Sequence, residues 1–147
     1  MQNLQELLSS SKVCMMSTYH VEAGIHTRPM VYQQIEDDGT IWFFTNEYSP
    51  KVEEISVNNQ ISLSFINESK SNYVILTGKA SLSKDEQKMK ELFNPIVNAW
   101  FPKGLEDPKL ALLKVELNSA EYWDNTSSTM VFLFNVAKAL FSARNEF

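Results

Sequence analysis

The sequence predicts a mainly β protein with flanking helices, built as a six- to seven-stranded antiparallel barrel. Three observations carry this prediction. Apolar residues recur at strand-like spacing in several short runs, turn residues separate those runs at hairpin distances, and the helix signals between them are few and short. Strands in hairpin order favour an antiparallel barrel over the parallel sheet that a βαβ alternation would build.

Taken in order, Leu4, Leu7 and Leu8 have the spacing of a short amphipathic opening helix. Val13 to Tyr19 then reads as a largely buried first strand, and Gly24 punctuates the turn after it. A second strand from about Ile25 to Ile35 and a third from Thr40 to Thr45 flank Asp37-Asp38-Gly39, a turn sequence that joins them as a hairpin. Ser49 stands at an N-cap, Pro50 at the first helical position, and the helix they open closes near Asn58-Asn59. Ile61, Leu63 and Phe65 alternate with Ser62, Ser64 and Ile66, which marks a strand with one apolar face. Tyr73 to Leu82 forms another, with Gly78 at a bulge.

Ser83-Lys84-Asp85-Glu86 matches a capping box and opens a helix through Phe93, which Pro95 interrupts. Ala99 to Gly104 is a loop carrying Trp100 and Phe101, continued by Glu106-Asp107-Pro108. Leu110 to Leu117 reads as a buried strand, and Glu121 to Asp124 follows after a short break. Ser127-Ser128 can cap a last helix from Met130 through Leu140, apolar on more sides than one core-facing stripe requires.

The bulk properties bound the function. The 147 residues are 44% hydrophobic, enough for a single domain over 1–147. A net charge of −5 and a pI near 5.0 argue against a general nucleic-acid binder, so any anion must be caught by a local cluster. The lone Cys14 cannot form an intramolecular disulfide, and no cysteine spacing suggests a metal centre. The N-terminus lacks the pattern of a signal peptide and no stretch is long enough to span a bilayer, so a cytoplasmic location is expected. His20 and His26, without a paired carboxylate pattern, read as strand-edge or surface residues, and Cys14 as inert core.

One segment suggests a ligand. From Trp42 to Ile55 an apolar strand runs through a turn into a helix, and Ser49-Pro50-Lys51 places a cation beside the unpaired N–H groups of the first turn. A phosphate there meets donors, dipole and charge together. Arg28, in the preceding strand, supplies a second cation whose paired donors complement the mobile lysine ammonium.

With these residues in hand, the chain resembles the FMN-binding split β-barrel family typified by pyridoxamine 5'-phosphate oxidase, and within it the bacterial general stress protein subgroup. The carriers are Arg28-Pro29-Met30, Trp42 to Asn46, Ser49-Pro50-Lys51-Val52, Ala99 to Pro102 with Gly104 and Asp107-Pro108, and Ala120 to Asp124. The resemblance implies a homodimer holding FMN at its interface. By that analogy Arg28, Ser49 and Lys51 hold the phosphate. The backbone of Pro29, Met30 and Val31 lies along the flavin ring, Phe44 and Thr45 complete the wall, and Trp123 and Trp100 approach from the partner subunit. The implied function is a flavin-dependent oxidoreductase acting on an unidentified small molecule. The alternatives are a non-catalytic flavin carrier or stress sensor, or a related barrel holding haem or a deazaflavin.

Two departures bear on activity. The oxidase follows its last tryptophan with a basic segment that recognises substrate phosphate, whereas Asp124-Asn125-Thr126 follows Trp123 here, so pyridoxamine phosphate is not the expected substrate. The oxidase also has a basic residue at the position of Pro50, which leaves this clamp one charge poorer.

Overall fold

The structure, a computed structural model, describes residues 8, 12–70, 72–123 and 131–133, the last three and residue 70 by their backbone alone. Seven strands form one antiparallel sheet: β1 (Val13–His20), β2 (Gly24–Ile35), β3 (Thr40–Asn46), β4 (Gln60–Asn67), β5 (Asn72–Ser83), β6 (Leu110–Trp123) and β7 (Val131–Leu133). Their order is β3-β2-β1-β4-β5-β6-β7, and β3 also pairs with β6, which closes six strands into a barrel. Closure leaves the barrel strands no free edge over the paired registers. Helix α1 (Pro50–Val57) packs on β1 and β5, and α2 (Glu86–Leu92) precedes the short 3₁₀ turns Pro95–Ala99 and Gly104–Glu106.

Two cores follow from the two faces of β3 and β6. Ile41, Phe43, Leu113 and Val115 point into the barrel with Met16, Leu63 and Leu76, and Ile55 of α1 joins them. Trp42, Leu110 and Leu112 point outward and are covered by Met89, Val97 and Phe101. Both strands are therefore buried on both faces, which is why they read as nearly continuous apolar runs. Lys88 fastens α2 over this outer core, with its ammonium 2.9 Å from Glu36, 3.0 Å from Gln34 Oε1 and over the Trp42 ring.

The turns follow their residues. Gly39 has φ 90°, a conformation that glycine adopts without strain, and Asp38 Oδ1 accepts from Thr40 N at 2.9 Å. The bulge expected at Gly78 lies in the facing strand instead: Thr77 pairs with Ser119 and Gly78 with Leu117, so the extra residue is Asn118 of β6. A Cβ on Gly78 would fall 2.5 Å from the carbonyl oxygen of Glu116.

Four other expectations change. The capping box does not form: Asp85 is the N-cap of α2 and accepts from Lys88 N at 3.1 Å, while Ser83 ends β5 and accepts from Asp85 N at 3.2 Å. Aspartate is as good a cap as serine, so the helix simply starts two residues later. No break separates Leu117 from Glu121: Asn118 is a bulge within β6, which runs as one strand of 14 residues. Within the expected last helix, Val131–Leu133 is instead strand β7, paired with Ala120–Tyr122. A wholly apolar run gives no periodicity to separate helix from strand, and valine and phenylalanine suit the extended form. The rest of that segment, including Ser127 and Ser128, lies outside the described residues. So does most of the opening helix, of which Leu8 is described as helical and buried. The fourth change concerns His26 and is set out with the site.

Candidate functional site

Arg28 and Lys51 line one cavity of about 510 Å³. Register puts Arg28 there: in β2 it lies on the same face as Met30 and Tyr32, opposite Met16 of β1. Lys51 reaches the cavity because Pro50 starts α1 immediately after the β3 turn, with Ser49 at the N-cap in an extended conformation (φ −72°, ψ 154°). The Ser49 hydroxyl caps no helix amide and instead accepts from Lys51 Nζ at 3.2 Å. Burial, together with the nearby charge of Arg28, holds the Lys51 ammonium below the ordinary lysine range.

Arg28 is anchored from behind. Its Nη1 donates to Thr18 Oγ1 at 2.9 Å and to Met16 O at 3.4 Å, and its Nη2 lies 3.2 Å from Glu54 Oε1. Glu54, on α1, is 5% exposed and also accepts from Thr18 Oγ1 at 3.1 Å. Its second oxygen lies 2.8 Å from His26 Nδ1 without an aligned hydrogen bond. His26 is therefore not a plain surface residue: it has a carboxylate neighbour and stacks on His20 at 5.4 Å. His20 supports the hairpin turn, its Nδ1 accepting from the backbone N–H of Glu22 and Ala23.

The other residues expected at the site fall into two groups. Pro29, Met30, Val31, Phe44, Thr45 and Trp100 line the same cavity as Arg28 and Lys51. Trp100 does so within its own chain and is 78% exposed. Ser49 touches the cavity through Lys51, while Trp123 stands at the far end of β6, paired with Tyr73 and outside the lining. Six further lining residues are not among the expected site residues: Gln33, Asn46, Phe101, Asn94, Ile96 and Val97. The Asn94-Pro95 pair, a cap followed by a first-position proline, was the available signal for the last three.

Chemically, the cavity has a cationic end and an apolar middle. No carboxylate, histidine or cysteine is among its lining residues, so it offers no side-chain acid or base of that kind. Among the described residues no group of three or more His, Cys, Asp or Glu side chains is arranged to hold a metal, and no helix is long and apolar enough to cross a membrane.

The comparisons with known proteins agree with the fold. The model of the family described as pyridoxamine 5'-phosphate oxidase like matches residues 1–145. Protein bli-3 of Neurospora crassa is 26% identical, over 97% of this chain and 73% of its own. Among solved structures, a general stress FMN/FAD binding protein from Xanthomonas citri is 32% identical with a TM-score of 0.71, covering 85% of this chain and 88% of its own. A Clostridium acetobutylicum protein related to general stress protein 26 shares the fold at 23% identity, with a TM-score of 0.77 over 88% of this chain and 90% of its own.

Proposed function

The chain belongs to the pyridoxamine 5'-phosphate oxidase-like family, and from that premise we propose that it binds FMN in the Arg28–Lys51 cavity as a cytoplasmic homodimer and serves as a flavin-dependent oxidoreductase on a small molecule. The observation that carries this reading is the convergence of two cations on one cavity in a protein of net charge −5. A phosphate monoester needs such a pair, and the volume lies in the range of cofactor sites.

In this reading Lys51 is the mobile charge on the phosphate, Ser49 steers it, and Arg28 is held ready by Thr18 and Glu54. Pro29, Met30, Val31, Phe44 and Trp100 give the ring an apolar bed that excludes water. The flavin, when bound, supplies the electron transfer. The homodimer is supported by the outer face of β1 and β2, where Val13, Met15 and Tyr19 are exposed opposite Val31, Pro29 and Ile25. Pro29 and Val31 belong to both this face and the cavity rim, so a partner there would complete the site, and Trp123 would reach it from that partner.

A second reading, a flavin carrier without turnover, is favoured by the lack of acid–base side chains in the lining. Purified protein given excess FMN should show a bound-flavin spectrum and quenched flavin fluorescence, and elute as a dimer. Rapid bleaching on adding NADH or NADPH would support the oxidoreductase over the carrier. Unperturbed flavin in excess protein would overturn both.

A further inference from the structure

The polarity of one cavity wall is fixed by a chain of hydrogen bonds that begins at a backbone amide. The Ile96 N–H can only donate, and it meets Asn94 Oδ1 at 3.1 Å. Asn94 must therefore turn its Nδ2 the other way, where it donates to Leu92 O at 3.4 Å and to Gln33 Oε1 at 2.9 Å. Gln33 in turn must offer its oxygen to Asn94, which leaves the Nε2 hydrogens on the opposite side of its carboxamide. Both residues line the cavity, and no acceptor among the described residues takes those hydrogens. Gln33 lies five residues along β2 from Arg28, at the bulge where Tyr32 pairs with Phe43 and Gln34 with Trp42, and so at somewhat less than the roughly 16 Å of an unbroken strand. A phosphate held by Arg28 and Lys51 would thus place the ring end of its ligand toward Gln33.

We infer that Gln33 is a donor-only contact for an oxygen acceptor conjugated to a ring, with Asn94 as the positioning residue that sets its polarity. The acceptor is either a flavin carbonyl or the carboxylate or carboxamide of a small molecule stacked beside the flavin. The inference rests on the flavin reading above. Its consequence is a selectivity: ligands presenting an oxygen to this wall are retained, and those presenting an N–H are not.

Fluorescence titration of FMN into wild type, Gln33→Glu and Asn94→Asp tests the first source. Benzoate and nicotinamide added to the FMN-loaded proteins, followed by flavin absorbance, test the second. Gln33→Glu keeps the shape and the bond from Asn94 but turns a carboxylate oxygen to the cavity. Asn94→Asp keeps the Ile96 cap, yet its second oxygen draws the Gln33 Nε2 hydrogens and swings Oε1 into the cavity. Both variants should lose about tenfold or more in the same arm. Loss in the FMN arm names the flavin carbonyl, and loss confined to the benzoate and nicotinamide arm names the second molecule. Wild-type behaviour of both variants in both arms overturns the inference and leaves FMN binding standing. Wild type that neither binds FMN nor responds to the probes overturns the flavin reading, and this inference with it.

Discussion

Arg28 Nη2 lies 3.2 Å from Oε1 of Glu54, so a guanidinium of the candidate cavity is already paired with a carboxylate that is almost fully buried. The pair ties β2 to α1, and Thr18 of β1 bonds to both partners. Removing Glu54 takes the carboxylate from Arg28 Nη2 and the acceptor from the Thr18 hydroxyl, while Arg28 Nη1 keeps Thr18 Oγ1 and Met16 O. The Arg28 side chain is 24% exposed, which lets solvent recover part of the loss. Glu54→Ala should therefore cost about 1–3 kcal/mol of stability in urea denaturation, and Glu54→Gln less, because its amide oxygen still accepts.

Lys51 carries the pH dependence of ligand binding. Its folded-state ammonium is held below the ordinary lysine range by burial first and by Arg28 second. Between that lowered value and the ordinary one, the unfolded chain holds the proton and the folded chain does not. Stability of the free protein therefore gains from this group as pH rises through that window. Anion binding has the opposite sign: FMN needs the charged form, so its affinity should begin to fall below the pH at which an ordinary lysine titrates. Fluorescence titrations across alkaline pH check this, and Lys51→Gln should lose that limb of the profile.

Cys14 should be chemically silent in the folded protein. It is 2% exposed, and burial pushes its thiol up to about 12 from 9.0. The unfolded thiol ionises first, so its contribution to stability is complete below pH 9.0 and is lost as pH rises toward about 12. A disulfide reagent at neutral pH should label no thiol in native protein and one per chain after denaturation.

Gly78→Ala should destabilise the barrel by about 1–3 kcal/mol, since the new methyl group meets the Glu116 carbonyl at 2.5 Å and the backbone must shift. Equilibrium urea unfolding measures this. A loss near zero would mean that the register shift between Thr77 and Gly78 opposite β6 relaxes without cost.

The elements that were legible in the sequence are those where one local signal dominates. Alternation in Ile61 to Phe65, glycine turn chemistry at Gly39 and the Ser49-Pro50 helix start each correspond to a described element. Ser83 and Asp85 competed for one helix start, and two adequate caps two residues apart cannot be ranked without the tertiary context. The run from Met130 gave no periodicity at all, so its described strand β7 was not separable from a helix.

The candidate site was legible in its charges and hidden in its supports. Arg28 and Lys51 stand beside strong punctuation, proline in both cases. Glu54 lies 26 residues beyond Arg28, and only the packing of α1 on β1 brings its carboxylate under the guanidinium. The same closure gives His26 the neighbour that its sequence surroundings lack. Gln33 and Asn94, 61 residues apart, meet because the segment from α2 to Ala99 packs over the outer core beside β2.

The central claim is that Lys51 and Arg28 hold a phosphate, and parallel titration of FMN and riboflavin into wild type, Lys51→Ala and Arg28→Ala tests it most directly. Charge-assisted bonds of about 1.5–3 kcal/mol each predict that wild type binds FMN more tightly than riboflavin by roughly a hundredfold or more, and that either variant loses roughly ten- to a hundredfold of that margin while leaving riboflavin binding unchanged. Equal affinity of wild type for FMN and riboflavin would contradict the account.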